Sequence, residues 1–329
     1  MQNKKSHSKK PKKFFNALKW ILIVLLALNV LGFVYEQVSE YIDAKTLKAP
    51  GKMIQVGDHK MHIYCTGENK NGSPTVILEA GGGMNYTTWH RVQPEISKYT
   101  KVCSYDRSGI GFSDGTKDER TNDDVVTEFE TLLKNDNVGG PYIMVGHSVG
   151  GFYTRLFTKR NIDQVRGLIQ IDPSVEQMAP FMNEETPLIV SAQSNIIELL
   201  FRIGVARIVM HINPSIANID KDIANTQIAF SSVLYKDKNK YGDMYKAFDN
   251  ITEIERSSGF GNLPVVIFSA SLSGEQGVTA YGEQVKNWHP DLAKRLSNNS
   301  KYIMVDNSSH FIQQDQSQVV IDAINGMLK

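Results

Sequence analysis

Cysteine is scarce in this chain, in which Cys65 and Cys103 are the only two among 329 residues. Two cysteines are too few for a disulfide framework or for a structural zinc site. We interpret both as buried free cysteines. A single bridge between them is the alternative, because the sequence does not show whether their Cα atoms approach within bonding range.

Acidic residues are missing from the first 19 residues, which carry seven lysines. The whole chain has a net charge of +1, so the remaining residues together carry a net charge of −6. This acidic balance argues against a nucleic-acid partner, because nucleic acids are bound through clustered basic residues.

Long apolar runs are also few, and the most prominent one, Trp20–Tyr35, directly follows the lysines. As a helix it would rise about 24 Å, slightly less than the ~30 Å of a hydrocarbon core. Lys19 can extend its amine to the membrane surface, and the aromatic residues at the two ends suit the interface. The run therefore predicts a transmembrane signal-anchor over residues 20–35.

This anchor implies a topology for the rest of the chain. Residues 1–19 form a basic tail that stays cytoplasmic by the positive-inside rule, and residues 36–50 form a stalk on the other side. We therefore predict a single-pass membrane protein with an extracytoplasmic folded domain over 51–329. The alternative is a cleaved signal peptide, for which Val30-Leu-Gly32 offers only a weak cleavage site.

Beyond residue 51, short apolar runs alternate with amphipathic segments. The runs are rich in β-branched residues and predict strands at Met53–Val56, Lys60–Cys65, Thr75–Leu78, Lys101–Tyr105, Tyr142–Val145, Val165–Ile171, Leu263–Ser269 and Lys301–Val305. The amphipathic segments predict helices at Thr87–Tyr99, Asn122–Asn135, Val149–Lys159, Gln284–Leu296 and Gln318–Leu328. The alternation predicts an α/β fold, with a mostly parallel central sheet and helices on both faces.

One long interval, between the strands ending at Ile171 and starting at Leu263, breaks this alternation. Its helical character predicts a cap insertion over about 173–260, at the carboxyl ends of the strands, where open α/β sheets bind ligands. We expect the apolar stretch Ile196–Ile212 to pack over the active site. The alternatives are that it cradles an acyl chain or rests on the bilayer beside the anchor.

The segment Gly146-His-Ser-Val-Gly150 lies between a predicted strand and a predicted helix. Gly-x-Ser-x-Gly in this context predicts a nucleophile elbow, a sharp turn that lifts the serine hydroxyl above the sheet edge. The glycines remove Cβ atoms that would collide in such a turn. Ser148 is therefore the candidate nucleophile.

A serine nucleophile needs a base and a carboxylate that orients the base. His310 follows the last predicted strand on a polar loop, which makes it the candidate base. Two carboxylates are candidates for the third position: Asp172 at the end of one strand and Glu275 shortly after the next. We favour Asp172 and keep Glu275 as the alternative.

An oxyanion hole needs two backbone amides directed at the developing negative charge. The amide of Val149 follows the nucleophile directly, and Gly82 in Glu79-Ala-Gly-Gly-Gly83 is the candidate for the second. A phosphate loop is disfavoured, because no Lys-Ser/Thr pair follows these glycines. Asp106 and Arg107 are expected to brace the loop that supports the oxyanion turn rather than to contact substrate.

Residues 51–329 resemble the α/β-hydrolase superfamily, in particular serine hydrolases with a helical cap. The resemblance is carried by Leu78-Glu-Ala-Gly-Gly-Gly83 with Trp89, Tyr105-Asp-Arg-Ser-Gly-Ile-Gly-Phe-Ser113, Gly146-His-Ser-Val-Gly-Gly151 and Ser309-His310. It implies Ser148 as nucleophile, His310 as base, and Gly82 with Val149 as oxyanion donors. The sequence departs from the family pattern in lacking an aspartate after the seventh strand.

These observations predict a membrane-anchored serine hydrolase that cleaves a small or lipid-like carboxylic ester through an acyl-enzyme. No metal or organic cofactor is implied. The alternatives are an amidase, peptidase or thioesterase on the same residues, and a ligand-binding module that uses the fold without turnover.

Overall fold

The computed structural model describes residues 10–70, 72–116, 120–182, 188–236, 247–248, 259–272 and 282–329. Its strands are β1 Lys52–Val56, β2 His59–Thr66, β3 Thr75–Glu79, β4 Val102–Tyr105, β5 Tyr142–His147, β6 Val165–Ile171, β7 Val265–Ala270 and β8 Ser300–Val305. Its helices are α1 Lys10–Thr46, α2 Gln93–Ile96, α3 Asn122–Asn135, α4 Gly150–Arg160, α5 Ala179–Met182, α6 Leu188–Arg202, α7 Val205–Ile212, α8 Pro214–Ala217, α9 Lys221–Lys236, α10 Gly282–Leu296, α11 Ile312–Asp315 and α12 Ser317–Leu328.

The described chain divides into two compact units. One contains the eight-stranded sheet, in the order β1-β2-β4-β3-β5-β6-β7-β8, and is called here the hydrolase-fold unit. Strand β2 runs antiparallel to β1 and β4, and all other neighbours are parallel. This mostly parallel sheet confirms the predicted fold class.

Both faces of the sheet are covered, which explains the nearly continuous hydrophobicity of the strands. On one face, strand residues such as Ile77 and Met144 pack with Phe152 of α4. On the other, Val76 and Ile143 belong to a cluster that also contains residues of α2 and α12. Because β3, β5 and β6 are parallel neighbours, the loops that leave their carboxyl ends meet at one edge of the sheet.

One predicted helix differs from the observed structure, and a left-handed glycine interrupts the apolar stretch of the predicted cap. The region 87–99 holds a 3₁₀ turn, Tyr86–Trp89, and the four-residue helix α2, with Pro94 in its first turn. The apolar stretch Ile196–Ile212 is divided between α6 and α7 by Gly204, whose φ of +69° is a left-handed conformation that glycine adopts without a Cβ clash.

The interpretation of the cysteines as free thiols is wrong, because Cys65 and Cys103 form a disulfide. They lie directly opposite each other on the antiparallel strands β2 and β4, with their Cα atoms 4.0 Å apart. The sequence did not reveal this bond, because β3 lies between β2 and β4 in the chain, although β2 and β4 are neighbours in the sheet.

The second compact unit contains α1 and the helices α6–α9, and is called here the helical unit. Helix α1 includes the predicted anchor and continues through the predicted stalk as far as Thr46. Within the described residues, one helical segment, Phe14–Thr46, is long and apolar enough to cross a membrane by length and composition. The location of the cap insertion over the strands stays a prediction.

Candidate active site

Ser148 occupies the sharp turn between β5 and α4. Its φ of +52° is a left-handed conformation that non-glycine residues adopt rarely and mainly at functional sites. The turn is held by backbone hydrogen bonds: the Ser148 amide donates to Ile171 O at 3.0 Å, and the Ser148 carbonyl accepts from Gly151 N and Ser174 N, both at 2.9 Å. A Cβ at position 150 would lie 2.6 Å from Ala80 O, so the second glycine of the motif is required by close packing.

Asp172 and His310 are brought together from 138 residues apart in the chain. The His310 Nδ1 lies 2.6 Å from Asp172 Oδ2, and the Ala270 amide donates to the other carboxylate oxygen at 3.1 Å. Asp172 is buried, whereas the His310 side chain is 41% exposed. A buried carboxylate with both oxygens engaged can hold one imidazole tautomer, with its Nδ1 protonated and its Nε2 free to accept a proton.

The alternative acid, Glu275, lies outside the described residues. The contact with His310 therefore favours Asp172 on geometry. Asp172 lies directly after β6, whereas the sequence lacks an aspartate after the seventh strand.

His147 is a residue to which the sequence analysis assigned no role. It precedes Ser148, and its Nε2 lies 2.9 Å from the His310 carbonyl oxygen. The two imidazole rings are 4.6 Å apart between centroids. A Cβ on Gly81 would lie 2.7 Å from His147 Nδ1. His147 is thus wedged between the glycine loop after β3 and the loop that carries His310.

A second histidine, His289 of α10, lies beside Asp172. Its Nδ1 is 3.9 Å from Asp172 Oδ1, and its Nε2 is 2.8 Å from Pro173 O. Burial lowers the pKa of His289, and burial together with the nearby His310 lowers the pKa of His147 to about 3. Both buried rings are therefore held neutral near pH 7, whereas the His310 ring is partly exposed and faces Asp172.

The candidate oxyanion donors are Val149 and Gly82. Val149 lies at the start of α4, where the helix dipole contributes partial positive charge. On the other side, the buried Arg107 guanidinium donates to Ala80 O at 2.7 Å and to Gly81 O at 2.6 Å. In a trans peptide the N–H points opposite to the C=O. By holding the Gly81 carbonyl, Arg107 therefore directs the Gly82 amide away from itself.

Arg107 is itself fixed by Glu79, at the end of β3, through a buried ion pair. Tyr105 also donates a hydrogen bond to Glu79. Burial raises the pKa of Glu79, and the Arg107 charge opposes that shift. Asp106 accepts from the Tyr86 amide at 2.7 Å and lies 2.8 Å from His62 Nδ1. These contacts are those of loop bracing, as the sequence analysis expected for Asp106 and Arg107.

Comparison with known proteins agrees with this architecture. The sequence profile of the alpha/beta hydrolase fold family matches residues 74–195. A Bacillus subtilis protein, "Uncharacterized protein YqjL", is 28% identical over 260 residues, which are 78% of this chain and 85% of the relative. Of several other curated relatives the chain spans 52% or less.

Solved structures show the same fold at low sequence identity. The enol-lactonase from Burkholderia xenovorans LB400 has a TM-score of 0.61 and 16% identity, over 84% of this chain and 99% of the enzyme. A Vigna radiata epoxide hydrolase mutant has a TM-score of 0.62 and 15% identity, over 84% of this chain and 97% of the enzyme. The chain has the α/β-hydrolase fold.

Proposed function

We propose that this protein is a serine hydrolase that cleaves carboxylic esters. The observation that carries the proposal is the buried Asp172 carboxylate hydrogen-bonded to His310, at the sheet edge where Ser148 occupies an elbow of positive φ. A nucleophile, a base and an orienting acid in this chain order are the parts that acyl transfer needs. A serine at position 148, rather than an aspartate, disfavours epoxide or haloalkane chemistry on the same fold.

In the proposed mechanism, His310 Nε2 removes the hydroxyl proton from Ser148 as its oxygen attacks the ester carbonyl carbon. The carbonyl oxygen becomes an oxyanion and accepts hydrogen bonds from the Gly82 and Val149 amides. Collapse expels the alcohol, which takes the proton from His310. Water then attacks the acyl-enzyme by the same route, releasing the acid and restoring Ser148.

We also propose that α1 anchors the protein in a membrane with the hydrolase-fold unit outside the cytoplasm. The support is the apolar run Trp20–Tyr35 behind seven lysines, together with the Cys65–Cys103 disulfide. Disulfides persist in oxidising extracytoplasmic compartments and are rare in the cytosol. The disulfide, through the redox state of the compartment, and the lysines, through the positive-inside rule, thus independently favour the same orientation.

The first experiment is fluorophosphonate labelling of the full-length protein in isolated membranes, beside the variant Ser148→Ala. Labelling of the wild type that is lost in the variant, with hydrolysis of short p-nitrophenyl esters lost in parallel, is the expected result. Absence of labelling in a folded wild type would favour the alternative, a ligand-binding module. Labelling accompanied by faster turnover of amide or thioester substrates would favour the other alternative, an amidase, peptidase or thioesterase.

A further inference from the structure

Helix α7 of the helical unit has its charged side chain buried and its large apolar side chains exposed, the opposite of a helix at a protein–water boundary. Its one Arg or Lys, Arg207, is only 3% exposed, whereas Ile208, Val209 and Ile212 are 51%, 54% and 72% exposed. The preceding helix α6 also presents isoleucines and leucines outward at 196, 197, 199 and 200. Soluble proteins place charge outside and apolar side chains inside. A helix with charge inside and isoleucine outside suits a hydrocarbon surrounding.

The buried charge of Arg207 is fully engaged within the unit. Its Nε and Nη2 donate to the two carboxylate oxygens of Glu36 at 2.9 and 3.0 Å, and its Nη1 donates to Asp43 at 2.7 Å. Ser232 of α9 also donates to Glu36. This network joins α1, α7 and α9. Ionisable side chains at membrane depth occur in this way, paired with one another and facing the interior of a helix bundle.

The turn between α6 and α7 lies beside the apolar run of α1. The Ile203 backbone packs against Gly32, where a Cβ would overlap the Ile203 carbonyl oxygen, and Gly204 packs against the Tyr35 ring. Small residues allow such close backbone approach between membrane helices. Gly32 precedes Tyr35 by three residues, so at 1.5 Å per residue the Ile203 contact lies about 5 Å inside the end of the apolar run, and the Gly204 contact lies at that end. Interfacial helices insert by about 5–10 Å.

We propose that the α6–α7 hairpin is embedded in the lipid leaflet that surrounds the outer end of the apolar run of α1, with Ile208, Val209 and Ile212 in contact with lipid. This proposal rests on the proposed membrane anchor and extends it, because the cap insertion becomes a second, monotopic membrane contact. The occupant of the apolar face is the bilayer, since the turn from which α7 begins packs beside Gly32 and Tyr35 in the apolar run of α1.

The test uses full-length protein in phosphatidylcholine–phosphatidylglycerol nanodiscs, with the variant Ile208→Cys labelled by an NBD fluorophore. Leu28→Cys, within the apolar run, is the lipid-exposed reference, and Tyr99→Cys, exposed on the hydrolase-fold unit, is the water-exposed reference. The native cysteines are bonded to each other and do not react without a reductant. Quenching is measured with doxyl-labelled lipid and with aqueous iodide.

We expect doxyl lipid to quench Ile208→Cys as strongly as Leu28→Cys, and iodide to quench Tyr99→Cys alone. Strong iodide quenching at position 208 would overturn the proposal, because the face would then be in water. Protection from both quenchers would also overturn it, because a second copy or another part of the chain would then cover the face. If Leu28→Cys itself escapes doxyl lipid, the anchor fails and the hairpin proposal fails with it. Fluorophosphonate labelling of the same samples reports the serine hydrolase proposal separately.

Discussion

Replacement of Asp172 by asparagine tests the proposed triad most directly, because it changes one atom type without changing side-chain shape. In the native arrangement one carboxylate oxygen accepts from the Ala270 amide at 3.1 Å and the other faces His310 Nδ1 at 2.6 Å. An asparagine carbonyl must stay on the Ala270 side, because the backbone N–H there is a donor. The asparagine NH₂ group is then directed at His310.

This orientation forces the wrong imidazole tautomer. With an NH₂ donor facing it, His310 Nδ1 must act as an acceptor, so its proton moves to Nε2. An Nε2 that carries a proton cannot accept one from Ser148. We therefore expect kcat to fall by about 10³–10⁴-fold, which corresponds to about 4–5.5 kcal/mol of lost transition-state stabilisation. KM should change little, because Asp172 is buried and does not contact substrate in the proposed mechanism.

The assay is steady-state hydrolysis of p-nitrophenyl acetate by detergent-solubilised protein, with the rate of fluorophosphonate labelling as a second readout. Glu275→Gln is the matched control, because it removes the alternative carboxylate in the same way. We expect it to retain nearly wild-type kcat. A loss of kcat below about tenfold in Asp172→Asn, where tautomer reversal predicts about 10³–10⁴-fold, would refute the argument. A large loss in Glu275→Gln would assign the acid to that residue.

Gly81→Ala should lower kcat/KM by about 100-fold, because its Cβ would lie 2.7 Å from His147 Nδ1 and displace the oxyanion loop or the imidazole. Gly139→Ala is the control and should leave kcat/KM unchanged, because its Cβ would meet open space. Equal activity of the two variants would contradict the packing of His147 against the glycine loop. In the folded protein the pKa of His147 is lowered from its ordinary value of 6.5 to about 3, so its imidazole stays unprotonated between these pH values. The unfolded chain binds that proton, so stability is fully present above pH 6.5 and is lost as pH falls. His147→Gln should therefore lose about 2 kcal/mol less unfolding free energy between pH 7 and pH 5 than the wild type. Urea titrations that show the same loss in both proteins would contradict this prediction. Finally, N-terminal sequencing of the membrane fraction should recover the lysine-rich start, and a soluble product beginning near Phe33 would refute the uncleaved anchor.

The sequence by itself determined the strands, most of the helices and the identity of the candidate nucleophile and base. These features are local, because apolar β-branched runs, amphipathic periods and the Gly-x-Ser-x-Gly turn are each written in consecutive residues. The predicted helix Asn122–Asn135 matches α3 residue for residue, since Thr121 and Asp124 form a capping box at its start.

Only the tertiary structure decided which distant residues meet. The sequence left Asp172 and Glu275 as alternatives, and the sheet order brings Asp172 to His310. The sequence also favoured free cysteines, and the pairing of β2 with β4 placed Cys65 opposite Cys103. Such contacts depend on strand order and loop closure over long separations, which composition and periodicity do not encode.

The same division applies to the helical unit. The sequence located the apolar run of α1 and the apolar stretch of the cap, but it could not indicate the side of α7 that is buried. The structure turns Arg207 inward to Glu36 and Asp43 and leaves the isoleucines outside. That orientation is set by charge pairing between helices separated by more than 160 residues in the chain, a pairing that forms only when the helices pack.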